Sequence, residues 1–301
     1  MSKTVELLKK QGYKIVGENQ HSAVKLCHFT RSSLIRNQPC YKQKFYGIES
    51  HRCAQCTPSI QCLNQCVYCW RSFRPAAKQE KFDEPKELIE QIMKAQQKIV
   101  SGFGGHPNVD RKRFWEAMEP TNFALSLVGD ALLYPHLSSL LQELKRMKKS
   151  TFLVTKGMVP ERIEALGAEP TNFYISLCAP DKQTFKKVDA PKIAGAWEKQ
   201  MKSIELLESF KCRKVIRITL VNGLNMRQPE KYGKIIGKSG FDFVECKGYA
   251  WMGHSRSRLT ASSVPTMDDV RRFSQEISDN CGYEIRNEDV PSRVVLLSKR
   301  F

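Results

Sequence analysis

The stretch Cys62-Leu63-Asn64-Gln65-Cys66-Val67-Tyr68-Cys69 decides how this chain is read, because it puts three thiols on one short loop. Three thiolates spaced C-x3-C-x2-C can each hold one iron of a cubane, and the absent fourth ligand leaves one iron open to a small molecule. Zinc instead favours paired C-x2-C and Cys/His sets that close a tetrahedron. A loop of this kind needs a rigid frame, and the flanking sequence supplies one.

Downstream, short β-branched runs alternate with amphipathic stretches, the pattern of βαβ units. Residues 57–61 read as the strand that delivers the loop, and Pro85 to Val100 as the helix that follows, with Leu88, Ile89, Ile92 and Ile99 on one face. Further strands are expected at 122–128 (NFALSLV), 151–155 (TFLVT), 172–177 (NFYISL), 214–220 (KVIRITL) and 241–247 (FDFVECK). Helical periodicity occupies 137–147, 160–166, 194–210 and 229–238. Six repeats fall short of a closed eight-repeat barrel, so the expected fold is α/β, a partial (open) TIM-like (βα)6 barrel. Its wide mouth suits a large substrate. Residues 1–56 stand outside the alternation as an N-terminal cysteine-bearing module. Residues 57–301 make the barrel with C-terminal additions, a helix over 266–280 and a strand over 293–298.

Seven of the 11 cysteines fall between Cys27 and Cys69. No apolar run approaches the roughly 20 residues that span a bilayer, and Met1 to Lys10 reads as an amphipathic stretch and not a signal peptide. A cytoplasmic protein with no membrane contact is expected, and in a reducing compartment clustered cysteines bind metal more readily than they pair. The 49 Lys and Arg against 31 Asp and Glu leave a charge of +18, which suits a polyanion because each neutralised phosphate releases condensed counterions.

With Tyr68 before its last cysteine, the loop resembles the signature of the radical S-adenosylmethionine (SAM) superfamily. The resemblance implies that Cys62, Cys66 and Cys69 hold a 4Fe-4S cluster whose open iron is chelated by SAM, with Tyr68 beside the adenine. One electron then cleaves SAM to a 5′-deoxyadenosyl radical, chemistry that belongs to the cofactor. Gly129-Asp130 stands where such proteins have a Gly-Gly-Glu-like turn for the SAM amino group, although the first glycine and the glutamate are missing. Thr155 and Ser176, at expected strand ends, are candidate SAM contacts or helix caps. Cys178 stands where aspartate is expected and receives no role.

Cys27, Cys40 and Cys53 recur with twelve residues between them. Together with Cys40-Tyr41-Lys42-Gln43-Lys44-Phe45-Tyr46-Gly47-Ile48, Lys247-Gly248-Tyr249-Ala250-Trp251-Met252-Gly253-His254-Ser255 and Glu288-Asp289-Val290-Pro291-Ser292-Arg293, this resembles the tRNA 4-demethylwyosine synthases of the wybutosine pathway. That resemblance implies a second, auxiliary 4Fe-4S cluster on Cys27, Cys40 and Cys53, with pyruvate as co-substrate. The other substrate implied is tRNA-Phe carrying N1-methylguanosine beside the anticodon. Lys42 is the candidate Schiff-base lysine, Lys44 its alternative, and Cys56 a competing C-x2-C partner of Cys53. A monomer served by an external electron donor such as flavodoxin or ferredoxin is expected.

Arg71, Arg74, Lys186, Lys187, Arg213, Arg256 and Arg258 are candidate tRNA contacts, and Trp70, Tyr249 and Trp251 candidate stacking partners for an unstacked base. Two other readings remain open at this point: a radical SAM enzyme with an auxiliary cluster acting on a peptide or small metabolite, and a zinc-stabilised RNA-binding protein.

Overall fold

A computed structural model describes residues 3–72 and 79–299, so Arg74 lies outside the described residues. The chain gathers into two compact units. The first takes the chain up to Cys62, a later stretch ending at Val154, and Leu166–Asn172; the second takes the loop from Leu63, Thr155–Ala165 and the chain from Phe173.

In the first unit the strands β1 (Lys14–Val16), β2 (Ser22–Val24), β3 (Cys53–Thr57), β4 (Asn122–Leu125) and β5 (Ser150–Thr155) lie side by side in that order. β1, β2 and β3 pair antiparallel, whereas β3, β4 and β5 are parallel. The expected first strand at 57–61 is therefore corrected to Cys53–Thr57. Pro58 has no N–H to give to a ladder, and it ends the strand where the sequence reading had begun it. Cys53 and Cys56 thus sit on a strand and not in a loop, and the position 56/57 falls inside β3. The helix Pro85–Ser101 starts with proline at its first turn and buries Leu88, Ile89, Ile92, Gln96 and Val100, a 1–3–4–4 spacing that makes one face. Ile99 is only half-buried, displaced from that face by Val100.

The second unit orders its strands β6 (Asn172–Ser176), β7 (Arg213–Leu220), β8 (Phe243–Gly248), β10 (Val294–Lys299) and β9 (Tyr283–Asp289). β7 and β8 are parallel and buried along most of their length, as strands covered on both faces must be. The C-terminal addition is more than the one strand expected. β9 and β10 form an antiparallel hairpin, and β10 pairs β8. Helices follow each of β3 to β8, giving the six βα repeats read from the sequence.

One glycine fixes how the first unit delivers the cysteine loop. Gly129 has φ +73°, and a Cβ there would overlap the Ser59 carbonyl oxygen and come within 2.7 Å of that of Gln61. The next residue donates its N–H to Gln61 O at 2.7 Å, so the residues leading into Cys62 are clamped to the end of the β4 connection. Replacing Gly129 with Ala is expected to cost about 1–3 kcal/mol from backbone strain alone, with the overlap adding to it. Urea denaturation of cluster-free protein measures this, and a loss below about 0.5 kcal/mol would show that the clamp yields freely.

Candidate active site

In the second unit the loop from Leu63 is stitched to the segment after the helix Lys182–Val188. Gln65 N–H donates to Ala190 O at 3.1 Å, Val67 N–H to Val188 O at 2.9 Å, and Lys192 N–H to Leu63 O at 2.8 Å. A tight turn follows, with Cys69 N–H on Cys66 O at 2.9 Å. The thiol of Cys66 is buried and that of Cys69 is half-buried, while Cys62, half-buried, ends the first unit's stretch.

Tyr68, the aromatic before the last cysteine, donates its hydroxyl to Asp189 Oδ1 at 3.0 Å. Asp189 is fully buried, and the same oxygen takes an ion pair from Lys156, whose Nζ also reaches Ser176 O at 3.3 Å and lies 5.3 Å from the Tyr68 ring centroid. Burial, the largest single influence, disfavours the Lys156 ammonium, but the charge and hydrogen bond of Asp189 together with Cys178 and Cys66 outweigh it and hold the lysine above its ordinary range. Burial, then Asp189, likewise raises the Tyr68 phenol. The second oxygen of Asp189 and the side-chain oxygen of neighbouring Asn64 are buried without hydrogen-bond partners. Sequence reading missed both Lys156 and Asp189. The available signal was a lysine directly after a strand-ending threonine, but nothing local tied it to an aspartate 33 positions on.

The other cysteine set lies in the first unit. Cys27 and Cys40 are the N-caps of the helices His28–Ile35 and Tyr41–Tyr46, and neither side chain is used for capping. A helix N-terminus favours a thiolate, so both positions are suited to metal-bound sulfur. Cys53 opens β3. Burial pushes its thiol up to about 12, Cys27 and Cys40 add to the rise, and Lys42 opposes it, so these four groups are electrostatic neighbours. Cys40 N–H is fixed by Ser50 Oγ at 2.8 Å.

Lys42 is buried, with Nζ 4.0 Å from the Phe152 ring centroid on β5, whereas Lys44 is exposed. Cys56 shares β3 with Cys53 but stands three residues on, and on a strand that points it to the opposite face. The C-x2-C pair is thereby split.

The donor sets can be tested against single metal ions. Among the described residues, the group with ligand atoms all within 4.8 Å of one another is Glu49, His51 and Glu116, which contains no cysteine. Zinc draws sulfurs to about 2.3 Å from itself, so Cys27, Cys40 and Cys53 are spread wider than one zinc needs. An all-thiol set on a wider spacing fits an iron–sulfur cubane.

The remaining sequence candidates separate clearly. Gly129 and Asp130 are committed to structure, with Asp130 Oδ1 accepting Leu132 N–H at 3.1 Å. Thr155 Oγ1 accepts Gly157 N–H at 2.9 Å in a local turn and caps no helix, the next one, Pro160–Glu164, having Val159 at its N-cap, and Ser176 offers its carbonyl to Lys156 and Gln200. Tyr249 is buried, its hydroxyl bonded to Ser255 Oγ at 2.6 Å, so it is corrected from stacking partner to support. Trp251 stays exposed beneath the Arg256 guanidinium, 5.0 Å from its ring centroid. Lys186 and Lys187 are exposed, while Arg71 turns back onto Asn64 O at 3.0 Å.

Comparison with known proteins agrees with this geometry. The radical SAM superfamily profile matches residues 57–234, and the profile described as wyosine base formation matches 238–299. A tRNA 4-demethylwyosine synthase of Pyrococcus horikoshii is 44% identical over 302 residues, covering 98% of this chain and 88% of the relative. The chain belongs to the tRNA 4-demethylwyosine synthase family. Its fold is accordingly the open, partial (βα)6 barrel of the radical SAM type expected from the sequence. The synthase of Oryza sativa is 40% identical, with 97% of this chain matched to 45% of that longer protein. A solved structure of TYW1 with a lysine-pyruvate adduct bound superposes with TM-score 0.90 at 33% identity, covering 99% of this chain and 96% of that one. A crystal structure of archaeal TYW1 gives 0.82 at 32% identity over the same shares.

Removing the Asp189 carboxylate leaves the Lys156 charge buried and unpaired, so Asp189→Ala is expected to lower unfolding free energy by about 3–5 kcal/mol. Asp189→Asn, which still accepts from Tyr68, should lose less. Chemical denaturation of cluster-free protein reports both, and a loss below about 1 kcal/mol for the alanine variant would mean that water reaches Lys156.

Proposed function

We propose that this chain is a radical SAM enzyme that condenses N1-methylguanosine beside the anticodon of tRNA-Phe with pyruvate to form 4-demethylwyosine. The observation that carries the reading is Lys42, a buried amine packed on Phe152 and following the N-cap Cys40 by two residues, in a family one of whose solved members holds a lysine-pyruvate adduct. Cys62, Cys66 and Cys69 would hold the SAM-binding cluster, and Cys27, Cys40 and Cys53 the auxiliary one, with residues 1–56 as the module that supplies the second set. When bound, the first cluster supplies the electron that cleaves SAM.

The protein's own groups then do the positioning. Lys42 Nζ adds to the keto carbon of pyruvate and loses water to give a Schiff base, which fixes the two-carbon donor in place. Phe152 walls one side of that amine. Lys44 is exposed, and Lys156 is held as an ammonium by Asp189, so neither matches Lys42 as the reacting amine. Tyr68, its hydroxyl anchored by Asp189, would present a fixed ring to the adenine of bound SAM. Gly129 and Asp130 hold the approach to Cys62, and Thr155 and Ser176, each ending a strand, would contact SAM.

Among the described residues no helix is long and apolar enough to cross a membrane. A monomer in the cytoplasm, reduced by an external flavodoxin or ferredoxin, completes the reading. The match over 238–299 to a wyosine profile disfavours a peptide or metabolite substrate, and the wide cysteine spacing disfavours structural zinc.

Replacing Cys62, Cys66 or Cys69 with Ala should abolish reductive SAM cleavage even without tRNA; normal 5′-deoxyadenosine release from any of them removes this reading. Cys27, Cys40 or Cys53→Ala should still cleave SAM yet make no tricyclic base, as read by nucleoside mass spectrometry. Lys42→Ala should lose the borohydride-trapped pyruvate adduct, and adduct retained at the parental level moves the role elsewhere. Affinity for the tRNA should fall about tenfold or more between 50 and 200 mM salt if several phosphates are gripped. A flat salt response would count against an RNA substrate.

A further inference from the structure

The turn that follows β8 is built against the cysteine loop. Gly253 has φ +55°, and a Cβ there would stand 2.5 Å from Trp70 O. His254 N–H donates to that same carbonyl at 2.8 Å. The turn is pinned from behind by the buried Tyr249, whose hydroxyl donates to Ser255 Oγ, itself bonded to Met252 O at 2.6 Å. Arg258 leaves this turn toward the loop. Its Nε donates to Val67 O at 3.0 Å, and its Nη2 to Cys69 O and, at 3.5 Å, to Arg71 O.

We propose that Arg258 is a positioning residue for the SAM-cluster loop, holding the carbonyls on both sides of Tyr68 and Cys69, and is not a phosphate contact. This rests on the loop being the cluster loop, and it replaces the expectation that Arg256 and Arg258 act together on tRNA. The two arginines divide by direction: Arg256 lies over exposed Trp251, while the Arg258 guanidinium is spent on loop carbonyls. A guanidinium's planar fork reaches several acceptors at once, which an ammonium at the same place does not. Backbone bonds of Val67 and Cys69 and the Tyr68 hydroxyl fix the front of the loop, and Arg258 adds a hold on the carbonyls of Val67, Cys69 and Arg71.

The test compares Arg258→Gln and Arg258→Lys with the parent. Amide hydrogen exchange over residues 63–72 in cluster-free protein should accelerate at least about tenfold in both variants, with the rest of the second unit protected as before. In reconstituted protein the electron paramagnetic resonance change on adding SAM should be lost or broadened, and SAM cleavage without tRNA should fall roughly ten- to a hundredfold, as ångström-scale misplacement does. Affinity for N1-methylguanosine-containing tRNA, and its salt slope, should stay within about twofold.

Parental loop exchange and resonance with tRNA affinity weakened tenfold would make Arg258 a phosphate contact and overturn the proposal. Full rescue of the loop by lysine would reduce the residue to a charge and overturn it equally. If glutamine prevents folding, the lysine variant alone decides by the same exchange measurement. A parent that binds no iron at the loop sinks the proposed function, yet the cluster-free exchange still judges Arg258.

Discussion

The buried carboxylate of Asp189 is the constraint around which the second unit is organised. A charge with no exposed surface must be neutralised where it stands, and Lys156 does so from the end of β5. The pairing fixes more than the pair. Because the same carboxylate oxygen accepts from Tyr68, the aromatic of the cysteine loop is held beside Lys156, whose ammonium also reaches the Ser176 carbonyl at the end of β6. The backbone bonds of Gln65 and Val67 to residues 188–190 then follow from the same placement. A loop that must present thiols in fixed geometry is thereby tied to an element whose own position is set by electrostatics.

The first unit solves a different problem. It gathers thiols from three separate elements, two helix N-termini and one strand, and places a lysine among them. Helix N-termini stabilise anionic sulfur, whereas desolvation raises the thiol of half-buried Cys53, a rise that a bound metal would offset. The backbone around the set is held by polar contacts: Ser50 on Cys40, and Thr30 and Gln96 on the Cys53 carbonyl. Lys42 is buried against Phe152, with Tyr46 next to that ring, an environment that would suit the proposed condensation because imine formation releases water.

The family-specific C-terminal segment contributes structure to the catalytic loop as well as any substrate surface. The wyosine profile covers 238–299, the region that contains the turn bearing Trp251, Gly253 and Arg258. Gly253 is required there by its left-handed backbone and by its approach to Trp70, so the motif Met252-Gly253-His254 is legible as a packing device.

Hydrophobic period and cysteine spacing were local quantities, and the sequence alone determined what depends on them. The six repeats and the face of the helix Pro85–Ser101 were readable because residues three or four apart keep their relation in any helix, whereas the cysteine sets and Lys42 were visible as motifs whose roles are proposals. Relations across distant segments were not. Only the tertiary structure decided that β3 begins at Cys53, since pairing with Asn122–Leu125 outweighed the apparent strand across Pro58. That shift turned Cys56 away from Cys53. Likewise Asp189 met Lys156, Tyr249 became a buried support and Arg258 turned inward, because each finds its partner between 6 and 191 positions away. Hydrogen bonds of buried polar groups are satisfied by whatever the fold brings near, and no local pattern records which group that is.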